Sequence, residues 1–283
     1  MKWDFPEEIH NLEIPTLGGK YLWADIYLLD DWRIQKNILS EHFRLLDDKD
    51  KRRAWGNYEH CRQKLEAFKQ KLGLKFPNKH IFLILHGLGR HRSSMAKLTN
   101  NLRDKGFAAY SLNYPSTFQP VDSHGDDLEH LLNELDGVTA VSFIGHSLGG
   151  LVARTLLSRK NSWRKKIDAR HLITIGTPNN GAKIADMMSG LKLFRAIAGP
   201  SGQDVRPYKA QDLPPPDIPT LVIAGGRGTK AGFNPLLGED NDGIVTVDET
   251  KIDGMKDFKR IKVIHTTIMD HPETLQAILD FIA

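Results

Sequence analysis

With 283 residues, of which 40% are hydrophobic and 26% charged, the chain has the composition of a globular protein and no sign of disorder or of a repeat array. A formal net charge of +4, from 39 basic and 35 acidic residues, lacks the concentration of charge that a nucleic-acid binder carries. A single cysteine, Cys61, excludes an internal disulfide framework and a cysteine-rich zinc site; no apolar run has the length of a membrane span or a signal-peptide core, so a soluble, cytoplasmic protein is expected.

Residues 1–19, with Pro6, Pro15, Gly18 and Gly19, read as an irregular arm. Lys20 to Leu29 alternates as a strand, Asp30-Asp31 turns, and Trp32 to Leu46 returns as a second strand or a mixed segment. Basic clusters at 49–53 and 159–170 read as solvated helix or loop surfaces, which leaves room for transient contact with an anionic membrane surface. Cys61, Leu65, Phe68 and Leu72 recur at helical steps over 59–72, and Gly73 stops the helix. Lys79 to Leu85 is a buried strand that runs into His86-Gly87-Leu88-Gly89. A helix over 93–105, a strand over 107–112 and a helix over 126–135 follow.

Val138 to Ile144 is the next apolar strand, and Leu148, Leu151, Val152, Thr155 and Leu156 fall at helical spacing after it. His171 to Ile175 is another strand, ending at Gly176-Thr177-Pro178. Residues 179–216 look irregular, apart from a short helix over 182–191, and Pro214 to Pro216 exclude regular structure. Strands at 220–224 and 259–264, separated by a polar loop over 225–243, lead to a closing helix over 272–282. Strands alternating with helices predict an α/β fold with a mostly parallel central sheet covered on both faces. The expected division is a catalytic core over 77–283 and an N-terminal extension, 1–76, packed on it and including the first antiparallel strands.

Between the strand at 138–144 and its helix stands Gly145-His146-Ser147-Leu148-Gly149, a G-x-S-x-G pattern. A strand that turns into a helix within two or three residues needs glycine on either side of the apex, and the strained serine stands clear of the sheet. A serine hydroxyl needs a base, and the base an orienting carboxylate. In an open parallel sheet both are sought beyond the carboxyl ends of later strands. The favoured base is His265, directly after the strand at 259–264, with His271 its competitor. The favoured acid is Asp242, in the bend Asn241-Asp242-Gly243 that Ile244 and Val245 anchor; Glu239 and Asp240 are rivals. The chain order Ser147, Asp242, His265 is that of the elbow class. The backbone N–H groups of Leu148 and of Leu88 are the expected oxyanion donors.

On these motifs, together with the Gly176-Thr177-Pro178-Asn179-Asn180-Gly181 segment, the chain resembles the α/β-hydrolase superfamily. Within it, the chain is similar to bacterial lipases and to lipase-like proteins related to the inositol deacylases of lipid anchors. The resemblance covers residues 79–283 and implies the fold and the Ser-Asp-His set, but not the substrate. Where some bacterial lipases carry a calcium-binding aspartate two residues after the histidine, this chain has Thr267, so neither a metal nor a cofactor is expected. Residues 179–216 read either as a small flap with Met187, Met188, Leu191, Leu193 and Phe194 on its apolar face or as a helix packed on the sheet.

The expected activity is hydrolysis of carboxylic esters, lipid or other acyl esters, through an acyl-enzyme. An acyltransferase on the same machinery, or a hydrolase-fold protein that binds without turnover, are the alternatives. The expected partner is a small-molecule or lipid ester, with no nucleic acid. Arg90-His91-Arg92, after the oxyanion turn, reads as a solvated helix entrance or as a greeting for an anionic head group.

Overall fold

The computed structural model describes residues 19–159, 162–183, 199–202, 204 and 212–283. The predicted arm up to Gly18, Lys160, and all but the first two residues of the helix expected over 182–191, with its apolar residues, lie outside the described residues.

Residues 23–56 form an antiparallel meander of four strands in chain order: β1 (Trp23–Leu29), β2 (Trp32–Asn37), β3 (Phe43–Leu46) and β4 (Arg52–Gly56). The last of these corrects the sequence reading, which placed the basic run at 49–53 on a helix or loop. Arg52 and Arg53 begin a strand, because the edge of a sheet tolerates charged side chains that point to water. Helix α1 (Tyr58–Leu72) packs back on the meander with Cys61 and Leu65 buried; Asn57 caps its start and left-handed Gly73 its end. Burial raises the Cys61 thiol to about 11, so it stays neutral.

The second sheet has six strands, all parallel: β5 (His80–Leu85), β6 (Ala108–Leu112), β7 (Ala140–His146), β8 (Asp168–Ile175), β9 (Thr220–Gly225) and β10 (Asp257–Ile261). Their order in space is β10-β9-β8-β7-β5-β6. Side chains alternate across it as strand geometry requires. Ile81, Leu83, Val141 and Phe143 join one core cluster, whereas Phe82, Ile84, Ile144 and Ile173 join the other. Helices α3 (Val121–Glu134) and α4 (Leu148–Leu157) cover the first face, and α2 (Ala96–Asp104) and α5 (Pro272–Ile282) the second.

Several boundaries differ from expectation: Gly19–Leu22 is a 3-10 turn ahead of β1, β7 runs two residues later than expected, and β8 starts three residues earlier, at Asp168. Three other boundaries also differ. Helix α3 starts at Val121 rather than 126, because Gly125, which looks like a breaker, lies against α4: a Cβ there would stand 3.2 Å from the Thr155 methyl. The stretch expected to be helical from 93 opens as a 3-10 turn, Arg92–Met95, before α2 begins. Strand β10 ends at Ile261, so His265 follows a short turn rather than the strand itself.

The direction in which successive strands are added reverses around β5, which feeds β6 on one side and borders β7 on the other. In open α/β sheets ligands gather at such a switch point, beyond the carboxyl ends of the strands. There the turn after β5 meets the turn after β7.

Candidate active site

Ser147 sits between β7 and α4 with φ 53° and ψ −121°, a conformation that a side chain adopts only under constraint. The constraint is packing. A Cβ at Gly145 would stand 2.3 Å from the Gly150 nitrogen, and one at Gly149 2.4 Å from the Leu85 carbonyl oxygen. No larger residue fits at either place, so strand and helix close up and push the serine outward.

His265 Nε2 lies 3.0 Å from Ser147 Oγ, and its Nδ1 lies 2.6 Å from Asp242 Oδ2. With a carboxylate at Nδ1, that nitrogen carries the proton and Nε2 is left to accept from the serine hydroxyl. Asp242 is itself fixed: its Oδ1 accepts from the amides of Ile244 (3.0 Å) and Val245 (2.8 Å), and its carbonyl accepts from the His265 amide at 2.9 Å. Asn241 holds the same bend by donating to Asn234 O and Glu239 O and accepting from Gly243 N. Asp242 is 1% exposed and His265 6%, so the pair works out of water.

The competing residues are engaged elsewhere. His271 Nδ1 accepts from the Glu273 amide and caps α5. Glu239 pairs with Lys183 at 2.6 Å, and Asp240 accepts from Gly228 N and lies 3.6 Å from Arg260.

The His86–Gly89 turn abuts the elbow: a Cβ on Gly87 would stand 3.2 Å from Ser147 Cβ and 2.9 Å from His146 Nδ1. Neither the Leu88 amide nor the Leu148 amide donates to any protein acceptor among the described residues. The Leu148 amide directly follows the serine in the chain, and the Leu88 amide directly follows Gly87, the residue that abuts Ser147.

Sequence reasoning passed over several residues here. His146 is buried and donates from Nε2 to the His265 carbonyl at 3.1 Å; burial first, then the neighbouring His265, hold it well below the usual histidine range. Gly176 lies under the His265–Asp242 pair, where a Cβ would stand 3.2 Å from His265 Nδ1. Buried Arg154 on α4 donates to Asn179 O and Leu213 O, both at 2.7 Å, and so ties two distant loops to the elbow helix. Desolvation pulls its guanidinium down to about 10. His146 and Gly176 lie within motifs that the sequence marks, but their roles here, like that of Arg154, are defined by what each touches. Of the basic triplet, Arg92 is paired with Asp50, while Arg90 donates to Thr266 O at 3.2 Å, next to His265 in the chain.

Among the described residues, no group of three or more His, Cys, Asp or Glu side chains is arranged to hold a metal ion. No helix among them is long and apolar enough to cross a membrane.

A family model described as a PGAP1-like alpha/beta domain matches residues 127–230, which span β7, Ser147, α4, β8 and β9. The fold is that of the α/β-hydrolases. Among solved structures, a Bacillus licheniformis lipase in its mature form superposes with a TM-score of 0.60 at 19% identity, covering 73% of this chain and 93% of its own. A metagenomic carboxyl esterase gives 0.55 at 15% identity, over 71% of this chain and 74% of its own. A Listeria innocua gene product gives 0.52 at 18% identity, over 72% and 94%. No curated protein matches the sequence. The chain therefore has the α/β-hydrolase fold, and over residues 127–230 it resembles a PGAP1-like alpha/beta domain.

Proposed function

We propose that this α/β-hydrolase is a serine hydrolase of carboxylic esters, lipid or other acyl esters, with Ser147 as nucleophile, His265 as base and Asp242 as its orienting acid. The observation that carries the reading is the unbroken row Ser147 Oγ, His265, Asp242, at 3.0 and 2.6 Å, on a strained elbow. The likeness to a lipase and a carboxyl esterase favours an ester over other acyl compounds.

His265 Nε2 takes the Ser147 proton as Oγ attacks the ester carbonyl. The oxyanion rests on the Leu88 and Leu148 amides. Asp242 stabilises the imidazolium without taking its proton. His265 then protonates the leaving alkoxide, and the alcohol departs from an acyl-serine. Water, deprotonated by the same nitrogen, attacks the acyl carbon; Ser147 recovers its proton and the acid leaves. An alcohol in place of that water would give acyl transfer, which product analysis with competing alcohols detects.

Ser147→Ala should abolish turnover of p-nitrophenyl esters while the circular dichroism spectrum stays that of the parent. Full activity in that variant would end the proposal.

A further inference from the structure

The Leu88 amide can stabilise an oxyanion only if the short turn carrying it is held still. The elbow does not hold it: Gly87 touches His146 and Ser147 without hydrogen-bonding to either. Within the turn, Arg90 N reaches Gly87 O at 3.2 Å, and His86 Nδ1 donates to Gly87 O at 2.9 Å. These bonds shape the turn but do not anchor it.

The anchor comes from the segment that leaves β6, residues 113–116. The Tyr114 hydroxyl donates to the His86 carbonyl, and the two rings stack with centroids 4.2 Å apart and planes 11° from parallel. Ser116 Oγ accepts from Gly89 N at 3.1 Å. The turn is thus gripped on both sides of Leu88, at residues 86 and 89. Tyr114 is 5% exposed and Ser116 3%, so water does not compete for either bond.

The segment is in turn bolted to the N-terminal meander. Asp25 Oδ2 accepts from Asn113 N, and Asp25 N donates to Asn113 O, both at 2.8 Å; Asn113 Nδ2 donates to Trp23 O at 2.7 Å. Asp25 is held by Arg33 at 3.0 Å and by Gln35 at 2.6 Å. Asn113 Oδ1 meets Arg92 N at 3.4 Å, just beyond the turn.

We infer that Tyr114 and Ser116 are positioning residues for the oxyanion turn, and that the N-terminal meander, through Asp25 and Asn113, serves as the abutment of that clamp. The inference rests on the proposed ester hydrolysis for its catalytic readout. It gives residues 23–56 a part in the chemistry, although none of them borders Ser147. Donors to an oxyanion act on charge that develops in the transition state, so loosening the clamp lowers kcat and leaves KM nearly unchanged.

The test uses the full chain as Tyr114→Phe, Ser116→Ala and Ser116→Thr, with steady-state hydrolysis of p-nitrophenyl butyrate and amide hydrogen exchange of the peptide covering 86–90. Tyr114→Phe should lower kcat by about tenfold, since a misplaced donor loses part of what a missing one costs. KM should stay within about twofold, and exchange over 86–90 should quicken while that of β7 does not. Ser116→Ala should act in the same direction, and Ser116→Thr, which keeps the accepting oxygen, should restore the parental rate. Unchanged kcat in a folded Tyr114→Phe protein, or a loss in Ser116→Thr equal to that in Ser116→Ala, overturns the clamp. If the parent protein hydrolyses no ester, the proposed function falls instead. The exchange measurement then decides the clamp alone: quickened exchange over 86–90 upholds it and unchanged exchange overturns it.

Discussion

In one wall of the candidate site, Ser147, His265 and Asp242 bond to one another directly, and Asp242 uses its second oxygen on its own loop at Ile244 and Val245. In the other wall, the turn bearing Leu88 makes no hydrogen bond to that row and is gripped from behind, by Tyr114 and Ser116. The first wall positions its groups by contact among the proposed reacting residues themselves. The second depends on a chain of support that runs through Asn113 to Asp25 in another sheet. Damage to the first wall should therefore remove chemistry outright, and damage to the second should degrade it by degrees.

The largest effect is expected at His265. His265→Ala should cost about 10⁶ in kcat, as loss of either member of a nucleophile–base pair does, and should not add to the loss in Ser147→Ala. Asp242→Asn keeps the shape but offers His265 the wrong tautomer, and a loss of about 10⁴ in kcat is expected. Steady-state kinetics with a short nitrophenyl ester measures both; a tenfold or smaller effect of either would mean that the row is not the reacting one.

Gly87→Ala probes the seam between the walls. Its methyl group would meet His146 Nδ1 at 2.9 Å and Ser147 Cβ at 3.2 Å, so the turn must retreat. A fall in kcat of about 10–100-fold with little change in KM is expected, the scale that a displacement of about 1 Å produces. An unchanged rate would show that the two walls tolerate separation.

The smallest effect concerns the cavity behind the second wall, lined by Asp25, Asn113, Tyr114, His124 and Asp127 among others. Burial, opposed by Lys36 and reinforced by Asp126, raises the Asp127 carboxyl to about 6. A raised folded-state value favours the protonated form, so its stabilising contribution is complete below the ordinary carboxyl pKa near 3.8 and is lost as pH rises through about 6. Asp127→Asn stays neutral throughout. It should therefore be more stable than the parent by about 2 kcal/mol at pH 8 and equal to it at pH 4, as urea unfolding at the two pH values will measure.

Much of this architecture is legible along the chain because its causes are local. Val138 to Ile144 reads as a buried strand from composition alone, and the Gly145–Gly149 pattern needs only its flanking strand and helix to signal an elbow. Asp242 is marked by the Asn-Asp-Gly bend and His265 by the end of an apolar run. What escaped reading has non-local causes. Strand β4 is hidden by the basic run at 49–53, whose charges are acceptable only because β4 lies at the edge of its sheet. The start of α3 is hidden by Gly125, which serves a contact with α4 rather than a break.

The sequence by itself determined the α/β alternation, the strained serine and the order of the proposed triad, because hydrophobic period, glycine spacing and turn chemistry act over a few neighbouring residues. Only the tertiary structure decided that His271 caps a helix while His265 faces Ser147. It alone decided that Gly176 must leave room beneath the His265–Asp242 pair, and that Tyr114, Ser116 and Asp25 stand behind the Leu88 turn. Those roles are fixed by hydrogen bonds between residues as far apart as 25 and 113, whose partners no local pattern can name.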